Sequence, residues 1–131
     1  MSQDLYAEVK AVALMPAGSR SDSAEGEPVE VSNFEGRGFI ALSSEAGSAG
    51  TLNGVVEHSA DDVEYETLTD EAGEDVAIEQ VGTGAASFQV IPVNFDRCRR
   101  FVRFNPTIDT GPFVYSVALA GSVKYAPARY E

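Results

Sequence analysis

The sequence contains few of the residues on which metal and covalent chemistry depend. Among 131 residues there is one cysteine, Cys98, and one histidine, His58. A single cysteine excludes an intrachain disulfide and a cysteine-rich zinc site, and a single histidine excludes a histidine-rich metal centre. A Ser/His/Asp triad would have to use His58, and no G-x-S-x-G nucleophile sequence is present. The sequence therefore predicts a protein that is not an enzyme and that carries no cofactor and no metal.

Three further absences narrow the class of protein. No apolar run approaches the roughly 18 residues of a membrane span, so we expect no membrane partner. The N-terminal stretch MSQDLYAEVK lacks the basic start of a signal peptide, so we expect synthesis in a reducing cytoplasm. The sequence has no tryptophan, which makes a flat aromatic platform for sugars a poor expectation.

Positive charge is missing from the middle of the chain. The formal net charge is −12, and residues 38–96 contain twelve acidic residues and no Lys or Arg. Residues 97–131 contain six basic and two acidic residues. An acidic surface repels phosphate, so we expect no nucleic-acid partner. The asymmetry indicates one acidic and one mildly basic side, either as a solvated surface or as an oriented protein that docks through one end.

Short apolar runs separated by turn residues dominate the chain from residue 29 onward, and no amphipathic helix alternates with them. The spacing of about ten residues predicts an all-β antiparallel β-sandwich or jelly-roll-like single domain. Both alternating faces of Phe113–Tyr125 are apolar or small, which predicts a central strand covered on both faces. The other predicted strands are Phe39–Leu42, Thr51–His58 with a glycine bulge at Gly54, Val63–Leu68, Phe88–Ile91 and Cys98–Phe104. The predicted turns are residues 35–38, 43–50, 59–62 and 105–112.

The first 28 residues differ in composition from the rest. Residues 4–15 alternate with period two, which predicts a strand, and residues 16–29 have the glycine, proline and serine content of a loop. We expect a flexible N-terminal arm or strand and loop over residues 1–28, and a β-sandwich domain over residues 29–131.

Three groups of potentially reactive residues receive structural interpretations. His58 is predicted to be an exposed strand-end histidine rather than a general base oriented by Asp61 or Asp62. Cys98 is predicted to be a small buried strand residue, although neighbouring arginines would activate an exposed thiol. The acidic turns at 61–62 and 70–75 do not follow the calcium-loop spacing and are predicted to be solvated.

The arginines are the strongest candidates for an interaction site. Four of the nine basic residues lie within residues 97–103, interleaved with phenylalanines. They could bind phosphate, pair with acidic strands of the same chain, or dock to an acidic patch of a protein partner. The last two interpretations are favoured and compatible. The candidate partner or subunit interface is Arg97, Arg99, Arg100, Arg103, Arg20 and Arg37.

Three stretches in a particular order carry a resemblance to a known family. They are Val31–Ala41, then Val56–Tyr65 with its His-Ser-x-Asp-Asp sequence, then Arg99–Arg103 followed by Phe113–Gly121 and Tyr125–Pro127. Over residues 29–127 the chain resembles small structural head proteins of tailed bacteriophages, found among capsid cement, decoration and minor head proteins. It departs from them in the long 16–28 loop and at Ala60.

The resemblance implies a non-enzymatic virion protein of the capsid surface. It implies a jelly-roll domain that forms a homodimer or homotrimer and binds the major capsid protein to stabilise the head. Two alternatives stay open. One is a carbohydrate-binding or other ligand-binding β-sandwich displayed on the virion, and the other is a head–tail or tail assembly protein.

Overall fold

The strands of the protein are longer than the turn residues of the sequence predict, and fewer turns separate them. The computed structural model describes residues 8–123. These residues form eight β-strands and one short 3₁₀ turn at Phe95–Arg97. The strands are β1 (Glu8–Arg20), β2 (Val29–Glu30), β3 (Phe34–Ser44), β4 (Gly50–Ser59), β5 (Glu66–Thr67), β6 (Ser87–Asn94), β7 (Phe101–Thr110) and β8 (Phe113–Val123). The prediction of an all-β protein is confirmed.

Two four-stranded sheets contain all eight strands. Sheet A has the order β1-β8-β3-β6 and sheet B the order β2-β7-β4-β5. All pairings are antiparallel, and the first strand meets the last at Glu8 and Val123. Because the chain crosses between the sheets at almost every connection, this order is that of a double-sheet jelly roll. The predicted sandwich and its jelly-roll-like connectivity are therefore confirmed.

The hydrophobic core lies between the two sheets and follows the period-two pattern of the strands. Along β8, alternate side chains from Phe113 to Val123 point inward and are at most 4% exposed where they are hydrophobic. Along β7, Val102 and Phe104 face them from sheet B. Strand alternation places these residues on one side of each sheet, and burying them supplies most of the driving force for folding. The core also includes Leu14, Ile40, Leu42, Leu52, Val56, Leu68, Val81 and Val93.

Aromatic rings in the core pack directly against glycines. A methyl group on Gly54 would overlap the ring of Phe104, and one on Gly121 would overlap the ring of Phe95. Gly54 pairs with Pro106 in an uninterrupted β4–β7 register, so the predicted bulge at Gly54 is wrong. The glycine serves instead to make room for a ring.

Two predicted turns and one loop are parts of strands. Residues 35–38 lie inside β3, where the register shifts between Glu35 and Gly38 and Gly36 takes a φ of +65°. The glycines thus form a bulge and not a reversal of the chain. Residues 16–20 continue β1 beyond the predicted strand end, again with register shifts, and the loop begins after Arg20.

Three other regions also differ from the prediction. Residues 8–20 of the expected arm belong to sheet A, whereas residues 1–7 lie outside the described residues and the 28/29 domain boundary stays a prediction. Residues 105–110 continue β7, and only Thr110–Pro112 turn the chain. The strand predicted at Val63–Leu68 shrinks to Glu66–Thr67, because Asp61 holds Val63 and Glu64 in a turn.

The central position predicted for the last strand is correct, but its two-sided cover is wrong. β8 lies between β1 and β3 in sheet A. Its inner face is buried, while Val114 on the outer face is 39% exposed and Ser116, Ala118 and Ser122 are half-buried. Across residues 8–123 no helix is long and apolar enough to cross a membrane.

The packing of Phe104 on Gly54 gives a testable prediction. We expect Gly54→Ala to lower the free energy of unfolding by about 1–3 kcal/mol, because the added methyl group must displace a buried ring. Gly84→Ala is the control, since a methyl group there meets nothing within 4 Å and should change stability by less than about 0.5 kcal/mol. Urea unfolding measures both; equal effects would contradict the packing role.

Candidate interaction surface

The outer face of sheet B carries a partly buried ion pair. Arg103 of β7 lies directly opposite Glu57 of β4, and its Nε donates to Glu57 Oε1 at 2.8 Å. Asn105 donates to the second carboxylate oxygen at 3.0 Å. The guanidinium of Arg103 also lies 3.8 Å from the centre of the Tyr65 ring. With the side chains of Arg103 and Glu57 only 24% and 14% exposed, this pair is fixed in the sheet and is not free to bind a partner.

Arg99 and Arg100 lie at the end of sheet B where β7 begins. Arg99 pairs with Glu66 at 3.2 Å, and Arg100 pairs with Glu30 at 2.9 Å. Hydrogen bonds from Arg100 and Ser32 lower the pKa of Glu30. The side chains of Arg99 and Arg100 remain about half exposed, so these two pairs, unlike Arg103–Glu57, are open to solvent.

Arg97 and Arg37 bond to the acidic loop that contains Thr69 and Glu71. Arg97 donates from Nε to the carbonyl oxygen of Thr69 at 3.3 Å. Arg37, from β3, pairs with Glu71 of the same acidic loop at 2.7 Å, and Asn94 donates to the same Glu71 oxygen. Hydrogen bonds from Arg37 and Asn94 lower the pKa of Glu71. These contacts tie the acidic loop to sheet A.

Arg20 is separate from the cluster. It donates to the carbonyl oxygen of Tyr115 at 3.2 Å and also contacts the carbonyl oxygens of Pro16 and Gly18. Gly18 and Tyr115 are paired residues next to the register shift between Met15 and Gly18, where β1 is irregular. Arg20 therefore serves the bulged strand.

Within the cluster at residues 97–103, pairing with the chain's own acidic residues is thus confirmed for Arg99, Arg100 and Arg103, whereas Arg97 bonds to Thr69. Arg37, outside the cluster, also pairs with an acidic residue. Each paired guanidinium already meets a carboxylate, which leaves little net positive charge for phosphate. The role of the six arginines in a capsid or subunit interface stays a prediction.

His58 is buried, contrary to the expectation of an exposed strand-end residue. It is 8% exposed, and its Nδ1 accepts the backbone N–H of Arg99 at 3.1 Å. Burial lowers the pKa of His58, and the positive charges of Arg99 and Arg97 act in the same direction against Glu66. The imidazole is therefore a neutral structural acceptor that joins β4 to the start of β7.

The residues proposed to orient His58 are engaged elsewhere. Asp61 Oδ1 accepts the backbone N–H groups of Val63 and Glu64 at 3.0 and 3.1 Å, and these bonds lower its pKa. Asp62 accepts the hydroxyl of Tyr65. The acidic turn is thus held by Asx-type hydrogen bonds.

Cys98 follows the 3₁₀ turn and does not lie in a strand. Its thiol is half-buried near the carbonyl oxygen of Asn94. Burial raises the pKa of the Cys98 thiol to about 12, with a further contribution from Asp96. A thiol with so high a pKa is a poor nucleophile at neutral pH, because the thiolate is the reactive form. Among residues 8–123 no three His, Cys, Asp or Glu side chains come together as a metal site.

A cleft of about 350 Å³ lies between the acidic loop and β6. Leu68, Val76 and Ile91 are among the apolar residues that line it, and Glu71 at its rim is already bonded to Arg37 and Asn94. Its polar rim is therefore used to attach the loop.

The outer face of sheet A is a second candidate surface. The sequence does not reveal it, because charged and reactive residues do not mark it. Sheets with one solvated face normally place polar residues there, and sheet B does so. On sheet A the charged side chains Glu35 and Arg37 lie at one end of the outer face and Glu45 lies at the other. Between them the described residues form an uncharged surface, here called the neutral face. The neutral face consists of Val9, Ala11 and Ala13 of β1, Val114, Ser116, Ala118, Ala120 and Ser122 of β8, Phe39, Ala41 and Ser43 of β3, and Phe88, Val90 and Pro92 of β6.

The Arg103–Glu57 pair gives one prediction. We expect Arg103→Met to lower the free energy of unfolding by about 1–3 kcal/mol, because a partly buried carboxylate loses its charged partner. Arg100→Met is the matched control and should lower the free energy of unfolding by less, since the side chains of Arg100 and its partner Glu30 are both about half exposed. Urea unfolding at neutral pH measures both. An equal loss in the two variants would contradict the fixed pair.

The buried His58 gives a pH dependence. Its pKa is lowered from 6.5, so the unfolded state binds a proton more readily than the folded state. Stability is therefore full above about pH 6.5 and falls as the pH drops below it. We expect the urea concentration at the unfolding midpoint to decrease as the pH is lowered from about 7.5 to about 5.5.

The control variant for this prediction is His58→Asn, whose side-chain oxygen can accept the Arg99 N–H without titrating. It should fall less over the same interval. The pKa values of the carboxyl groups of Glu30, Asp61 and Glu71 are lowered in the folded state. Their contribution to stability is lost only below about pH 5, which is outside the interval of this measurement. Parallel curves for the two proteins would refute the role of His58.

Comparison with known proteins identifies the fold. No protein-family model and no curated protein sequence matches the chain. Among solved structures, the chain is similar to YomS, a protein derived from the SPBc2 prophage, with 12% identity, a TM-score of 0.54, and coverage of 88% of this chain and 95% of that one. It also matches the VP2 subviral particle of infectious bursal disease virus, with 9% identity, a TM-score of 0.48 and coverage of 90% of this chain. The match spans 33% of the VP2 chain. The chain thus shares its two-sheet fold with a prophage-derived protein over nearly the whole length of both.

Proposed function

We propose that the chain is a non-enzymatic structural protein of a bacteriophage virion that binds the major capsid protein on the head surface, as a cement or decoration protein. The observation that carries this proposal is the jelly-roll fold shared end to end with a prophage-derived protein. The order of sequence stretches resembling phage head proteins supports the same role. Synthesis would take place in the host cytoplasm before attachment.

The positions of the candidate catalytic residues support a structural role. His58 accepts a backbone N–H, Asp61 holds a turn, and the pKa of the Cys98 thiol is raised to about 12. Each of these groups is used to fix the fold. A protein built in this way can act through its surface without a reacting group.

The end of sheet B at which β7 begins, here called the docking edge, is the surface proposed to meet the capsid. Arg99 and Arg100 are consecutive residues there and are about half exposed, and they pair with Glu66 of β5 and Glu30 of β2 on the two sides of the sheet. Ion pairs that solvent screens contribute little, so carboxylates of a capsid subunit can replace Glu66 and Glu30 at small cost. A guanidinium can then make two parallel hydrogen bonds to the new carboxylate. Repetition over a symmetric shell lets many such modest contacts act together.

Co-sedimentation with capsids tests this function. Purified protein is mixed with expanded empty capsids of the phage that encodes it and is centrifuged through a sucrose gradient. We expect saturable binding at a fixed ratio to the major capsid protein. Protein that remains in the supernatant at every concentration would overturn the cement role and favour a tail-assembly or ligand-binding protein.

A matched pair of charge reversals tests the docking edge. Arg100→Glu and Lys10→Glu change the net charge equally, but Lys10 is an exposed residue of β1 in sheet A and lies away from the docking edge of sheet B. We expect Arg100→Glu to weaken capsid binding by at least about tenfold, and Lys10→Glu to leave it within about twofold. Equal weakening would show a general charge effect and would argue against this edge.

A further inference from the structure

The neutral face stands out because the rest of the molecule is strongly charged. The chain has a net charge of −12, and the outer face of sheet B carries Glu57, Arg103 and Asp109 among its polar side chains. On the neutral face, Phe88 is 71% exposed, Val90 54% and Phe39 41%. Charged residues border it at its ends, with Glu35, Arg37 and Glu71 at one end and Glu45 at the other. An uncharged centre with a charged rim is the usual anatomy of a protein–protein interface.

The residues of the neutral face divide into a bulky half and a small half. The bulky half lies on β3 and β6 and contains Phe39, Phe88, Val90 and Pro92. The small half lies on β1 and β8 and is built mainly from alanine and serine. One row across the sheet reads Ala13, Ala118, Ala41 and Val90, and the next reads Ala11, Ala120, Phe39 and Pro92.

We propose that the neutral face binds the neutral face of a second copy of this chain, about a twofold axis that runs along the strands between β8 and β3. Such an axis turns one sheet over and places its β1 above the partner's β6. The small half of each copy then lies over the bulky half of the other. Within the rows, Val90 faces Ala13 and Phe39 faces Ala120, twice in each dimer. An axis across the strands would instead set bulky residues on bulky residues.

Charge and area also favour a second copy. Two molecules of net charge −12 repel each other through every charged surface, so an uncharged face is the one that two copies can bring together without burying like charges. Four strands about 4.8 Å apart and about 27 Å of strand length give about 500 Å² per copy, or about 1,000 Å² in total. This area is at the lower limit of specific interfaces, which predicts a reversible dimer with a dissociation constant on the order of ten micromolar.

The remaining repulsion between the copies gives the dimer a characteristic salt dependence. Salt screens like charges outside the interface, so association should become at least about threefold tighter when salt rises from about 0.05 to about 0.5 M. Binding of the same face to a positively charged partner would weaken with salt. The direction of the change therefore distinguishes the two occupants.

Sedimentation equilibrium of the full chain tests the proposal. Val90→Lys places a charge on the neutral face, and Val63→Lys places the same charge on an equally simple exposed site, since Val63 is 77% exposed in the turn after β4. We expect Val90→Lys to weaken self-association by at least about tenfold and Val63→Lys to leave it within about twofold. Circular dichroism and urea unfolding of both variants establish that they are folded.

A complementary pair of variants tests the direction of the axis. Ala13→Lys and Val90→Asp should each remain monomeric alone, and an equimolar mixture should associate, because the twofold axis along the strands places residue 13 of one copy against residue 90 of the other. Failure of the mixture to associate while the unmodified chain dimerises would overturn the proposed axis.

The proposal fails if the unmodified chain is monomeric at all concentrations and salts, or if Val90→Lys dimerises as the unmodified chain does. These measurements contain no capsid, so their failure leaves the virion role to its own test. If the chain is monomeric and Val90→Lys abolishes capsid co-sedimentation, the occupant of the neutral face is a capsid subunit and the dimer is refuted.

Discussion

The separation of the two sheets depends on phenylalanine rings that pack against the backbone at glycines, where no side chain stands in the way. Phe104 lies against Gly54, and Phe95 lies against Gly38 and Gly121. The ring of Phe95 also packs on Phe34, with the ring centres 4.8 Å apart. Because a close-packed interior tolerates little change of volume, these contacts fix how near the sheets can approach. The register of the strands, and with it the content of both outer faces, follows from this spacing.

The two outer faces show opposite solutions to the exposure of a sheet. Sheet B is covered by polar side chains that bond to one another, with Arg103, Glu57 and Asn105 as its central group. Sheet A is covered by alanine, serine and a few large apolar side chains. The first face is complete in one molecule. The second exposes apolar area of the size that functional patches of soluble proteins have.

The fold class follows from local information, and the site only in part. Alternation along β7 and β8 is strong enough to predict a sandwich, because each strand must bury one face whatever its neighbours are. The bulge at residues 35–38 escapes prediction because glycine at Gly36 permits both a turn and a bulge, and only pairing with β8 decides between them. Which carboxylate meets which arginine depends on contacts as distant in sequence as Glu30 and Arg100, which local patterns do not contain.

The last strand carries a signal whose meaning the sequence leaves ambiguous. Apolar or small residues on both faces of Phe113–Tyr125 predict cover on both sides, and the monomer covers one. A strand face that is exposed only to water normally carries polar residues, and the outer face of β8 carries few. The pattern and the structure are reconciled if the neutral face meets another protein surface, as in the proposed dimer.

The place of β8 in the middle of sheet A constrains how the nascent chain can fold on the ribosome. β1 pairs only with β8, and β3 has β6 and β8 as its neighbours. Until residues 113–123 have been synthesised, β1 has no partner strand among the described strands and one edge of β3 is unpaired. Sheet A therefore closes in one late step, and an elongating chain halted before β8 presents open strand edges to cellular chaperones.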